Sequence, residues 1–136
     1  MKQGKRVKPV FPIEYRLLIT PKYKEREKQF VTYAAIRTVN EFSSFRYEIV
    51  VDPTVTNRTL QFAIHGLRAP QVTIPHSGPA MFETEFLNLH GTYDLVVSKP
   101  GREKNMFTIS ISNKEIILKE SPQDKFVDVT TSAKEF

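Results

Sequence analysis

The chain is 136 residues long, with 40% hydrophobic and 26% charged residues, which suits one soluble domain with its own core and argues against wholesale disorder. It contains no cysteine, so disulfides, thiolate nucleophiles, iron–sulfur clusters and cysteine-ligated zinc are excluded. The net charge of +5 sits at the start, where residues 1–28 hold nine Lys or Arg against three Glu, a net of +6, leaving −1 for the rest.

Residues 1–10 carry lysine, glycine and proline without periodicity and are expected to form a flexible basic arm. Pro9, Pro12, Glu14 and Arg16 break up any signal-peptide core behind that basic start. No window approaches the roughly 20 apolar residues of a membrane span. The default expectation is cytoplasmic, or exported if a signal has been removed.

Residues 13–20 predict a first strand with Ile13, Tyr15, Leu17 and Ile19 on one face, between Pro12 and Pro21. The charged stretch at 21–29 predicts a solvated loop or the outer end of that strand. Residues 29–39 are ambiguous, because Phe30, Tyr33, Ile36 and Val39 recur every third residue and leave no single helical face. Their β-branched and aromatic content favours strand over helix. From residue 45 the alternation is clean. Phe45, Tyr47, Ile49 and Val51 share a face up to Asp52-Pro53, followed by Leu60, Phe62 and Ile64 with His65 outward. Gly66 and Pro70 bound a short run at 71–75, and 76–79 is a loop tip. Phe82 and Phe86 then oppose Glu83 and Glu85. Phe107, Ile109 and Ile111 form a later inward set, Asn113-Lys114 a tight turn, and residues 126–129 a last short strand.

The stretch at 86–97, FLNLHGTYDLVV, places Leu89, Tyr93, Leu95 and Val97 on one face, with Gly91 two residues before the tyrosine. That LHGTY segment resembles the tyrosine corner of immunoglobulin-like and fibronectin type III-like sandwiches, within a strand pattern covering about 45–111. The resemblance implies a Tyr93 ring in the core and a hydroxyl bonded back to the chain entering the strand, with Leu89 and Gly91 structural. The cysteine pair and core tryptophan of antibody-type domains are missing, so only the architecture carries over. The fold expected is an all-β, antiparallel, immunoglobulin-like sandwich of about eight to ten short strands. It would form a single domain over residues 11–131, followed by a fraying tail at 132–136.

Signs of catalysis are few. His65, His76 and His90 are spaced by 11 and 14 residues, which matches no metal-ligand pattern. Glu83, Glu85 and Asp94 have the look of solvated strand positions rather than glycosidase carboxylates. Ser43, Ser44, Ser77 and Ser110 lie in no nucleophile elbow, and five glycines leave no phosphate-cradling loop. Asn57-Arg58-Thr59 is a glycosylation sequon, meaningful only in a eukaryotic secreted setting. No enzyme activity, metal or cofactor is expected. With no Trp, and with most Phe and Tyr in phase with aliphatic residues, a carbohydrate platform is not expected either; Tyr23 is the clearest aromatic outside that phase.

The basic segment stands above this background. Lys2, Lys5, Arg6 and Lys8 on the arm could neutralise phosphates, and Lys22, Lys24, Arg26 and Lys28 alternate along an extended stretch where Tyr23 could stack on a base. Such charge runs more often serve solubility or guard an edge strand. The expected function is therefore a non-enzymatic interaction module that contacts a protein through sandwich loops or an exposed sheet edge. The alternative is a basic-arm protein that binds nucleic acid or another polyanion.

Overall fold

The computed structural model describes residues 12–42, 47–69, 78–101 and 104–136. The basic arm, the short run at 71–75 and the loop holding His76 lie outside these. β1 (Tyr15–Lys24) buries Leu17 and Ile19 completely and turns back into β2 (Gln29–Phe42), so residues 29–39 are strand. β2 lies between β1 and β5 (Gly78–Phe86), with Ala34, Ala35 and Ile36 all fully buried. Both of its faces are covered, which is why its apolar residues do not alternate. Arg37 donates from Nε and Nη2 to the main-chain oxygen of Phe136, at 3.2 and 2.7 Å, beside a 3₁₀ turn at Ala133–Glu135.

β3 (Glu48–Thr56) and β4 (Thr59–Arg68) form a hairpin closed by Asn57, whose φ of 56° lies in the left-handed region. Ile49, Val51, Leu60, Phe62 and Ile64 point into the core, as the alternation requires. β3 continues through Pro53 rather than ending there. Beyond Glu48, among the described residues, it pairs only with β4, and a one-sided strand tolerates proline. β6 (Gly91–Ser98), β7 (Asn105–Ile111), β8 (Ile116–Glu120) and β9 (Val127–Thr130) complete the set.

The strands join in the order β8-β7-β6-β4-β3-β5-β2-β1-β9. This is one mixed sheet curled into a nearly closed barrel, in place of the antiparallel two-sheet sandwich expected. β1 with β9, β3 with β5 and β4 with β6 are parallel. Alternation shows which face a strand buries, but not which strand lies beside it. Inside, Phe62, Phe107 and Phe126 are almost fully buried among Leu17, Ile36, Leu95 and Ile109.

The barrel has two narrow joints, both where β1 and β3 begin. At one, β3 meets β5 through the single pair Glu48 and Met81, supported by the Met81 N–H donating to Tyr47 O. At the other, Asn105 of β7 reaches β9. Its Oδ1 accepts the N–H groups of Phe126 and Val127 at 2.8 and 3.3 Å. Lys99 adds an ion pair to Glu14 and lies 5.1 Å from the Phe126 ring centroid. This is the clasped end; the opposite, open end is built from the turns after β1, β3 and β7 and the link from β5 to β6.

The tyrosine-corner expectation holds only in part. Tyr93 packs in the core at 6% exposure, but its hydroxyl makes no hydrogen bond among the described residues. The Arg58 guanidinium, from the β3–β4 hairpin, lies 4.9 Å from its ring centroid and donates from Nη1 to His90 O. Gly91, at φ +96°, holds a backbone conformation that favours glycine, and a Cβ there would only touch Arg58 Nη1 at 3.4 Å.

Candidate functional site

The β1–β2 hairpin overshoots the core, pairing as far as Lys24 with Gln29. Because β1 runs unbroken to Lys24, Tyr23 falls in phase with Leu17 and Ile19, contrary to its expected place outside that phase. It extends the inward face past the core to the rim. Phe30 sits opposite it, with ring centroids 5.0 Å apart and planes at 62°. The two rings are 47% and 42% exposed, an uncommon position for a pair of aromatics facing inward.

Facing this pair is the β5–β6 link, where Asn88 adopts φ 61°, Leu89 is buried and His90 is anchored by Arg58 through its carbonyl. The β7–β8 turn supplies Ser112 and Asn113. Ser112 is engaged locally: its Oγ donates to Glu115 O and accepts from the N–H groups of Lys114 and Glu115. Between these walls lies a cleft of about 370 Å³, towards the lower end of the range for small-ligand sites.

Its polar side chains are largely unengaged. Among the described residues, Lys28, Gln29, Asn88, His90 and Asn113 make no side-chain hydrogen bond or ion pair. Thr32, also in the lining, is 5% exposed and its hydroxyl has no partner among those residues. Buried hydroxyls nearly always have one. Among the described residues no carboxylate lines the cleft, and Lys28 is its only fixed charge. Glu25 and Glu27 lie on the same turn as Lys28 but outside the lining.

A second group occupies the outer face of β1, β2 and β5. Glu85 takes Lys24 at 3.1 Å and Lys22 at 3.8 Å, while the Tyr33 hydroxyl donates to Glu83. Lys22 also lies 5.1 Å from the Tyr33 ring centroid. Partial burial, then the bond to Glu83, then the charges of Glu83 and Glu85, push the Tyr33 phenol up to about 12.

Of the predicted basic residues, Lys2, Lys5, Arg6 and Lys8 fall outside the described residues. Lys22 and Lys24 are paired with Glu85, Arg26 stands exposed on the turn, and only Tyr23 and Lys28 reach the cleft. Of the structural candidates, Leu89 lines the cleft and Gly91 and Tyr93 flank it.

Phe30, Gln29, Asn88, His90 and Asn113 were not foreseen as site residues. One signal was available: a four-residue turn at 25–28 forces Tyr23 opposite Phe30. His65 lies elsewhere, at a bulge on β4, with Nε2 2.8 Å from Asp52 Oδ2. Among the described residues no three His, Asp or Glu side chains gather as metal ligands would, and no helix is long and apolar enough to cross a membrane. Comparison with protein-family models, curated proteins and solved structures finds no match.

Proposed function

We propose that this chain is a non-enzymatic binding module that meets a protein partner through its open end, at the cleft between the β1–β2 hairpin and the β5–β6 link. One observation carries this reading: Tyr23 and Phe30 remain about half exposed at the rim, beside polar side chains that have no partner among the described residues. Half-exposed aromatics next to unsatisfied donors and acceptors are the composition of contact surfaces. Turns held on a rigid sheet are also a common place for them.

The test is capture from the source lysate by wild type, by a Tyr23→Ser, Phe30→Ser double variant, and by Ile117→Lys on the edge strand β8. Loss of one defined partner with the double variant alone supports the open end. Loss with Ile117→Lys alone would move the contact to the sheet edge.

A second reading, polyanion binding, draws support from Lys28 and Tyr23 sharing a cleft without carboxylates. The pairing of Lys22 and Lys24 with Glu85 weakens it. It requires the logarithm of affinity to fall with log salt by about 0.9 per phosphate contact on duplex DNA, or about 0.7 on single strands. An oligonucleotide titration at three salt concentrations separates the two.

A further inference from the structure

We propose that the open-end cleft is a short-peptide site selecting an acidic residue beside an apolar one; this rests on the open-end reading above and names the chemistry of its partner. Three features of the lining converge on that class. Gln29, Asn88 and Asn113 each present a carboxamide, which offers one donor side and one acceptor side. An extended peptide backbone presents the complementary pair at every residue, and these three side chains have no partner among the described residues.

The second feature is the shape of the aromatic pair. At 62° and 5.0 Å, Tyr23 and Phe30 meet edge to face. They form a notch rather than a flat platform. A sugar ring or a nucleobase needs a continuous face to stack on, whereas a notch takes an inserted aliphatic or aromatic side chain.

Charge is the third. Among the described residues Lys28 is the only fixed charge in the lining. An Asp or Glu of the ligand meets Lys28 as an opposite charge, whereas a Lys or Arg there meets a like charge. The volume of about 370 Å³ holds a few side chains, not a folded surface. The buried Thr32 hydroxyl, without a partner among the described residues, is one more group that a bound main chain would satisfy.

The experiment is selection of a random twelve-residue peptide display library against the full chain, followed by affinities of the selected synthetic peptides. The expected result is enrichment of Asp or Glu next to an apolar residue. Affinity should fall at least about tenfold, about 1.4 kcal/mol, in the Tyr23→Ser, Phe30→Ser variant. Lys28→Gln should remove the acid preference while retaining binding of apolar peptides. Each variant is accepted only if its thermal midpoint matches the wild type.

Selection of basic or uncharged peptides that the double variant no longer binds overturns the acidic specificity and leaves the open-end reading standing. Selected peptides that bind the double variant as tightly as wild type overturn both. Hexathymidylate or tri-galacturonate binding more tightly than every selected peptide overturns the peptide class in favour of a polyanion or an acidic saccharide.

Discussion

The two ends of the barrel use the same kinds of side chain for opposite purposes. At the clasped end Asn105, 5% exposed, accepts two main-chain N–H groups and joins β7 to β9. Thr38 does the same for β2 and β5, its hydroxyl accepting from Ala80 N–H at 2.9 Å and donating to Asn40 O at 2.8 Å. At the open end Asn88, Asn113 and Thr32 do neither among the described residues. An amide enclosed by its own chain contributes stability, and one left facing a cleft is available to something else. Residue type alone does not distinguish the two; the partners do.

The comparison is most easily broken at the clasped end, where the largest effects are expected. Phe126 is fully buried beneath Lys99 and meets Tyr15 edge-on at 6.5 Å. Phe126→Ala should cost about 3–5 kcal/mol in chemical denaturation. Asn105→Ala leaves two buried N–H groups without their acceptor and should cost about 2–4 kcal/mol. An unchanged denaturation midpoint for Asn105→Ala would mean that the joint contributes nothing. At the open end the Tyr23→Ser, Phe30→Ser variant should lose less than about 1 kcal/mol, as exposed substitutions do. A loss comparable to that of Phe126→Ala would make those rings core residues and remove them from the site.

Smaller still is the effect of Tyr93→Phe. A tyrosine corner would make it cost about 0.5–1.5 kcal/mol, the worth of one hydrogen bond. With the ring under Arg58 and no bond to the hydroxyl, a change below about 0.5 kcal/mol is expected.

The last prediction concerns the outer face. Tyr33 holds its proton up to about 12 against an ordinary value of 10.0, so the neutral phenol favours the folded state. That contribution is fully present below pH 10 and is lost as pH rises from about 10 towards 12. Ultraviolet titration of the folded protein should show Tyr33 titrating late, as Tyr15 does through burial and the nearby Glu14 charge, and the Tyr33 midpoint should drop in Glu83→Gln. No change in that variant would dissociate Tyr33 from Glu83.

Much of the fold was legible because alternation is a local property. Leu60, Phe62 and Ile64, and Phe107, Ile109 and Ile111, lie where their spacing puts them. The parallel pairing of β4 with β6 was not legible, since it joins Thr59 to Asp94 while the intervening β5 pairs elsewhere, with β2 and β3. The cleft was harder. Tyr23 and Lys28 were singled out for their charge context, but Asn88 and Asn113 become site residues only because two turns remote in sequence meet the first hairpin. Nothing in the sequence around Asn88 marks it, except that asparagine tolerates the left-handed backbone it adopts.

The pairing of β9 with β1 bears on how the chain is made. Residues 15–18 of β1 bond in parallel to residues 127–130, so that edge has no partner until the latter have been synthesised. At about 5–20 residues per second, the ~100 intervening residues leave it open for on the order of 5–20 s on the ribosome. A bare strand edge in that interval is a template for a neighbouring nascent chain, and charge along a strand deters such pairing. Arg16 lies within that edge, and Lys22 and Lys24 follow on the same strand, charge of the kind that deters such pairing.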